Sequence, residues 1–283
     1  MYIIKTLENT SIRLIHKSFI DAFSDYQIKM KMPLEKFNQM LIRRGYVSEI
    51  SVGAFRDDKL IGFILNGIRI FEGKLTVYDL GTGVLKEYRR QGIINNLFSY
   101  TKKLIKNIKA EQYLLEVIKT NDSALELYKN NNFKIRRELE CFKMNKTDIK
   151  LDIKYETKHL DNLDFKKVID FWDFIPSWQN SIDSINSTAI SFLNSVVEID
   201  NKIVGYGIID KLSGDIAQIA VDKKFRRKGI GTSIMADLAN NTESSTITLL
   251  NIDKQAKSIL NFLEALGLNN YISQYEMTLT LLE

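Results

Sequence analysis

The apolar and polar positions of this chain fall into two successive series with the same layout. In the first, YIIKTL alternates as a strand does, and SIRLIHKSFIDAF spaces its apolar residues near 3.6, the period of an amphipathic helix. SVGAF and LIGFILNGIRI, separated by the turn signal DDK, predict a pair of strands. VYDLGTGVL predicts a further strand. After it Ile94, Leu97, Phe98, Leu104, Ile105 and Ile108 share one helix face. A short apolar strand, a short helix and a closing strand follow. The second series reads KLDIKYE, then NLDFKKVIDFWDF, then SVVEI and IVGYGII around DNK, then DIAQIAV before another helix. Each series predicts an α/β unit whose sheet is mostly antiparallel, with one strand–loop–helix crossover.

The two series align residue by residue. FIDAF (19–23) faces VIDFW (168–172) at an offset of 149. The only two prolines, Pro33 and Pro176, face each other at 143, as do DDKLIGF (57–63) and DNKIVGY (200–206). YRRQGII (88–94) faces FRRKGIG (225–231) at 137, and YLLEVIKTNDSALELYKNNNF (113–133) faces TLLNIDKQAKSILNFLEALGL (248–268) at 135. The falling offset predicts a duplicated domain with shorter loops in its second copy. The expected domains are 1–147 and 148–283, joined near 145–150 by a short polar connector.

Composition narrows the function classes. The 283 residues are enough for two cores, and no apolar run reaches the length of a membrane span. The N-terminus lacks the pattern of a secretory signal. One cysteine, Cys141, allows no internal disulfide and fits a reducing cytoplasm. Two histidines and no CxxC or HExxH motif argue against a metal site. The net charge of +5 is uneven: residues 1–147 hold 26 Lys+Arg against 16 Asp+Glu, and residues 148–283 hold 14 against 19. A basic first half suits an anionic ligand, or is simply a lysine-rich solvated face. A nucleic-acid partner is disfavoured, because no interleaved aromatic stripe or known module accompanies the charge.

A strand that passes through Arg89-Arg90-Gln91-Gly92 into a helix leaves backbone N–H groups and the positive dipole end free for an anion, phosphate above all. The spacing is neither GxxxxGK[ST] nor GxGxxG. An isolated loop of this kind is as well explained by an ordinary helix start; two of them in the same context are not.

The pattern Arg/Gln-x-x-Gly-x-Gly/Ala after a strand resembles the acetyl-CoA pyrophosphate loop of the GNAT superfamily of N-acetyltransferases. RRKGIG (226–231) matches it throughout, and RRQGII (89–94) departs at Ile94. Asn121, Ala124, Leu127 and Tyr128 resemble the family's Asn-x-x-Ala-x-x-Leu-Tyr segment, with Asn132-Phe133 where Gly-Phe is usual. The resemblance covers both halves and implies acetyl-CoA as co-substrate. It places the pyrophosphate on Arg89, Arg90, Gln91, Gly92, Ile93, Ile94 and Asn95, with Gly83, Val84, Leu85 and Asn121 along the arm. The second copy offers Ile219, Ala220 and Val221, then Arg226, Arg227, Lys228, Gly229, Ile230, Gly231 and Thr232.

Acetyl transfer to an amine needs a base for the amine proton and a proton donor for the leaving thiolate. Glu116, a carboxylate inside the apolar strand LLEV, is the candidate base; the alternative is a strand residue facing solvent. The resemblance assigns the acid role to Tyr128, a side chain that keeps its proton at neutral pH; the alternative is a core aromatic. At the 135 offset these positions are Asn251 and Leu263, so the second copy has the better loop and the first the better chemistry. In the second copy Trp178, Gln179 and Asn180 form either a recognition wall or a structural plug, and its closing strand brings Gln274, Tyr275 and Glu276. The expected function is an N-acetyltransferase acting on a primary amine of a small acceptor, with chemistry in the first copy. The alternatives are chemistry in the second copy, or an acyl-CoA-binding sensor without turnover. Nothing in the sequence fixes an oligomeric state.

Overall fold

The computed structural model describes residues 1–25, 32–149 and 151–281. It divides into two compact units: Met1–Arg136 with the chain from Glu276 onward, and Arg137–Tyr275. The compact units thus divide at 136/137, whereas the repeat was expected to divide near 147, and the chain from Glu276 onward belongs with the first unit. The reason lies in one continuous strand, Lys134–Asn145, whose residues from Leu139 on are laddered to a strand of the second unit.

Unit 1 follows the predicted order. Strand β1 (Ile3–Thr6) leads to helix α1 (Ile12–Ala22), which Ser11 caps by accepting from Leu14 N at 3.3 Å. Helix α2 (Leu34–Arg43) precedes the antiparallel strands β2 (Val52–Arg56), β3 (Lys59–Phe71) and β4 (Lys74–Val84). Helix α3 (Ile93–Asn107), strand β5 (Gln112–Ile118) and helix α4 (Asp122–Asn130) follow, and strand β6 (Lys134–Asn145) starts here and belongs to unit 2 from Arg137 on. The strands lie in the order β1-β2-β3-β4-β5, and β4–β5 is a parallel pair. That pairing ends at Tyr78↔Leu114, while β4 runs on to Val84 and β5 to Ile118. The strands therefore part, and a wedge opens between them. A bulge at Leu80 accompanies the split: Gly81 pairs Leu65 and Asp79 pairs Asn66.

Unit 2 holds β7 (Lys158–Leu160), α5 (Ile182–Ser187), β8 (Phe192–Ile199), β9 (Lys202–Asp210), β10 (Ile216–Val221), α6 (Ile230–Asn240), β11 (Thr246–Asp253) and α7 (Lys257–Ala265). The last strand, β12 (Asn269–Thr280), passes from this unit into unit 1 at Glu276. Strands β10-β9-β8-β7 form an antiparallel sheet, and β11 pairs β6. A single parallel bridge, Asp215↔Thr248, joins the residue just before β10 to β11, so this pair is also splayed.

Shared irregularities mark the two units as copies. Asp57 and Asp200 both adopt positive φ in the turns that join β2–β3 and β8–β9. The register shifts at Ala54/Phe55 and again at Val197/Glu198. Gly62 and Gly205 stand where the following helix crosses the strand. A Cβ on Gly205 would lie 2.8 Å from Ile230 Cγ2, and one on Gly62 would lie 3.1 Å from Ile93 Cγ2.

The second copy departs from expectation in its first elements. Residues 151–157 form no strand; the backbone N–H groups of Lys154 and Tyr155 instead donate to Ser233 Oγ at 3.0 and 3.1 Å. Lys150 lies outside the described residues. The helix expected over 162–174 is two 3₁₀ turns, Phe165–Lys167 and Ile169–Phe171. Trp172 is extended, and its indole donates to the buried Tyr206 hydroxyl at 2.6 Å, a tertiary bond that a continuing helix would forfeit. In α3 the inward residues are Ile93, Leu97, Phe98, Thr101 and Ile105; Ile94, given the inward role by its spacing, is half-buried. Among the described residues no helix is long and apolar enough to cross a membrane.

Candidate active site

The RRQGI and RRKGI loops have the same backbone. Arg90 (φ 62°) and Arg227 (φ 65°) are left-handed, as are Gly92 (φ 73°) and Gly229 (φ 95°). For a non-glycine residue that conformation costs about 1–2 kcal/mol, and both copies retain it. Left-handed residues at alternate positions turn successive N–H groups to one side and make an anion-binding concavity at the helix start. The first arginine of each loop acts as a staple. Arg89 donates from Nε to Val84 O at 3.1 Å, from Nη2 to Ala22 O at 2.8 Å, and from Nη1 and Nη2 to Asp25 at 2.8 Å. Arg226 donates to Val221 O at 2.9 Å, Phe171 O at 2.9 Å and Asp173 at 2.8 Å. The Arg89 guanidinium holds the Asp25 carboxyl below the usual carboxylate range. These two guanidinium groups thus fix the loop, whereas Arg90, Arg227 and Lys228 are exposed.

In unit 2 the loop borders a cavity of about 590 Å³ lined by Val221, Arg227, Gly229, Gly231, Thr232 and Phe262 among others. A Cβ on Gly231 would lie 3.1 Å from the Phe262 ring, so the missing side chain there is part of the cavity. Ile219 belongs both to this cavity and to a smaller one that reaches Ala220, Gln218 and Asn180 between β10 and β11. There the 3₁₀ turn Trp178–Asn180 ties the splayed strands together. Gln218 Nε2 on β10 donates to Asn180 O at 2.7 Å, and Asn180 Nδ2 donates to Leu250 O on β11 at 2.9 Å. Trp178 is fully buried. Asn251, the counterpart of Glu116, is buried and bonds Ser177 Oγ at 3.2 Å and Gln274 Nε2 at 2.9 Å. Glu276 leaves this copy altogether: it lies in unit 1, fully buried, 3.5 Å from Arg136.

In unit 1 the wedge is lined with acid–base groups. Glu116 sits two residues past the last β4–β5 pair and is half-buried in a strand whose other residues are buried. Its carboxylate accepts from the buried Tyr78 hydroxyl, and burial beside that carboxylate pushes the Tyr78 phenol far up, so it stays a donor. Tyr128 is buried on α4. Its ring is held edge-on by Phe98 (centroids 5.9 Å apart) and Phe133 (5.7 Å). Its hydroxyl hydrogen-bonds Asp79 on the opposite strand. Asp79 also accepts from Gly81 N at 2.8 Å and Thr82 Oγ1 at 2.6 Å. Burial raises its carboxyl to about 6 against the pull of these donors and of Arg44. Tyr113 on β5 donates to Asn66 Oδ1 at 2.6 Å behind the pair. Gly83 packs where a Cβ would lie 2.8 Å from the Phe63 ring, Val84 and Leu85 are buried, and Asn121 caps α4 by accepting from Ala124 N at 3.2 Å. Asn95 Oδ1 accepts from Asn131 Nδ2 at 3.3 Å, and Gln91 Nε2 reaches Glu87 O at 3.4 Å.

The wedge therefore gathers Glu116 and Tyr128, both expected from sequence, and adds Tyr78, Asp79 and Asn66, which were not. Asp79 had a signal: it is the lone charge in the otherwise apolar and small-residue run VYDLGTGV.

Comparison with known proteins gives a consistent family. Residues 13–133 match the model of the Acetyltransferase (GNAT) family, and residues 191–267 match that of an Acetyltransferase (GNAT) domain. N-alpha-acetyltransferase 30 of Schizosaccharomyces pombe is 30% identical over 101 residues, covering 35% of this chain and 67% of that protein. A GCN5-related N-acetyltransferase from Sphaerobacter thermophilus superposes with a TM-score of 0.76 at 13% identity, covering 100% of this chain and 96% of the other. A tandem GNAT protein from the clavulanic acid biosynthesis pathway gives 0.73 at 10% identity, covering 100% and 99%.

Proposed function

The chain is a tandem member of the GNAT superfamily of acyltransferases, and from that premise we propose that its first unit transfers acetyl from acetyl-CoA to a primary amine of a small acceptor. The observation that carries this reading is the placing of Glu116 and Tyr128 at the point where β4 and β5 part. In the family acetyl-CoA is the co-substrate, and the amides of residues 90–95, turned by the left-handed Arg90 and Gly92, suit its pyrophosphate. Val84, Leu85 and Gly83 then border the arm. Glu116, held in direction by Tyr78, takes the proton that the amine must lose in order to attack. Tyr128 supplies a proton to the departing sulfur. Its ring is fixed by packing, so little order remains to be gained on reaction.

Unit 2 has a specific claim as well, since its cavity adjoins the complete loop. Against chemistry there stand Asn251 and Leu263 at the acid–base positions, and the Trp178–Asn180 turn across its splayed strands. It suits a second acyl-CoA site without turnover. The name of the yeast relative, an N-alpha-acetyltransferase, makes peptide α-amines a useful arm of any acceptor screen. The test is product mass spectrometry after incubation with acetyl-CoA and a panel of small amines and short peptides, repeated with Glu116→Gln and Gly229→Glu. Acetylated product that is lost in Glu116→Gln supports chemistry in unit 1. Product that persists in Glu116→Gln and disappears in Gly229→Glu moves chemistry to unit 2.

A further inference from the structure

Asp79 is a carboxyl that the two-residue scheme does not use, yet the wedge is built around it. It lies at the β4 bulge with only 7% of its surface exposed, and three donors converge on it: Gly81 N, Thr82 Oγ1 and the Tyr128 hydroxyl. The charged and titratable groups facing it are few. Tyr78 precedes it on β4, and Tyr113 and Glu116 come from β5. Tyr128 comes from α4. Arg44, just past α2, donates from Nη1 to Leu80 O at 3.3 Å. Tyr78 is committed to Glu116 and Tyr113 to Asn66. Asp79 also raises the phenols of Tyr78 and Tyr113 through its charge, but Tyr128 is the tyrosine whose hydroxyl hydrogen-bonds it.

This contact sets the direction of the Tyr128 proton. While Asp79 is a carboxylate it can only accept, so Tyr128 points its O–H at Asp79 and offers the substrate side a lone pair. When Asp79 carries a proton it donates to Tyr128 Oη, and the phenol O–H is freed to point into the wedge. We propose that Asp79 is the positioning residue for Tyr128, holding the proton that turns the phenol toward substrate and refilling it after transfer. This rests on the reading of Tyr128 as proton donor to the leaving sulfur. As the carbon–sulfur bond breaks, its electron pair stays on sulfur and takes the Tyr128 proton. The Tyr128 oxygen takes the proton of Asp79, which is left as carboxylate. Glu116 passes the proton gained from the amine to solvent, and solvent returns one to Asp79, so the cycle closes without a further reactant. Burial raises the Asp79 carboxyl to about 6, close enough to neutrality for the group to be refilled at working pH.

Two measurements test this in the full chain. In the ligand-free protein, carboxyl ¹³C NMR should show one aspartate titrating near pH 6 that is absent in Asp79→Asn. Tyr128→Phe, which removes a donor to the carboxylate, should move that titration upward, and Thr82→Val should do the same. In the pH profile of kcat the parent should show an alkaline break that follows this titration and moves upward in Thr82→Val. In Asp79→Asn, whose amide can donate permanently to Tyr128, the break should vanish. An Asp79 titration unmoved by Tyr128→Phe, or an alkaline break retained in Asp79→Asn, would overturn the proposal. Failure of the underlying reading looks different: Tyr128→Phe would then turn over at the parent rate whatever Asp79 does.

Discussion

Asp79→Asn should make unit 1 more stable at alkaline pH and much less so in acid. The Asp79 carboxyl titrates at about 6 when folded, against an ordinary value of 3.8, because burial penalises its charge more than Gly81, Thr82, Tyr128 and Arg44 relieve it. The folded state therefore holds the proton more tightly than the unfolded chain. The associated stability is present in full below the unfolded value and is lost as pH rises through about 6. A difference of roughly two pKa units corresponds to about 3 kcal/mol of penalty at pH 8, and about 1 kcal/mol at pH 4.5 where the folded carboxyl is protonated. Asparagine keeps the shape and an acceptor oxygen for Gly81 N, so any cost of the exchange itself is the same at both pH values. The stability gained by Asp79→Asn should accordingly be about 2 kcal/mol larger at pH 8 than at pH 4.5. Urea unfolding followed by far-ultraviolet circular dichroism measures it. Tryptophan emission serves as the control, since Trp172 and Trp178 both lie in unit 2. Equal gains at the two pH values, or a larger one in acid, would refute the buried-charge argument.

Two further variants probe the frame around the wedge. Arg136 donates to both Glu72 oxygens at 2.6 and 2.5 Å and lies 3.5 Å from the buried Glu276. Arg136→Ala should lower the stability of unit 1 in the same urea titration, by less than the roughly 3–5 kcal/mol of breaking a fully buried pair because Arg136 and Glu72 are partly exposed, with tryptophan emission little changed. Arg89→Ala removes the staple at Val84, Ala22 and Asp25. By loosening the loop whose amides would hold the pyrophosphate, it should weaken acetyl-CoA binding in a calorimetric titration, by about ten-fold if roughly 1.4 kcal/mol goes into re-ordering the loop, and return the Asp25 carboxyl to its ordinary range by NMR.

The parts of the fold legible in the sequence are those set locally. The DDK and DNK turns, the loop glycines before α3 and α6, and the strands they join all have short-range causes, and the duplication doubles each signal. What escaped depends on distant partners. Over 162–174 the helical period is present, but Trp172 is claimed by Tyr206, and the segment breaks into 3₁₀ turns. Residues 150–156 were expected as a strand, yet the amides of Lys154 and Tyr155 go to Ser233. The chain end carries no local mark of joining unit 1; the signal is Glu276, a fully buried charge 3.5 Å from Arg136. Within the site, Glu116 stood out as a carboxylate in an apolar strand and Tyr128 through the family resemblance, whereas the contact of Asp79 with Tyr128 emerges only when a bulge at Leu80 and a helix fourth in the unit bring them together.

The first-unit mechanism stands or falls on the Tyr128 hydroxyl. Tyr128→Phe keeps the ring between Phe98 and Phe133 and removes only the proton donor. Rapid-quench single-turnover kinetics with acetyl-CoA and an accepted amine isolates the chemical step. The rate should fall by at least about ten-fold, and toward the roughly 10²–10⁴-fold typical of general acid catalysis, while acetyl-CoA affinity stays at the parent value. A parent-like single-turnover rate in Tyr128→Phe would contradict chemistry in this wedge.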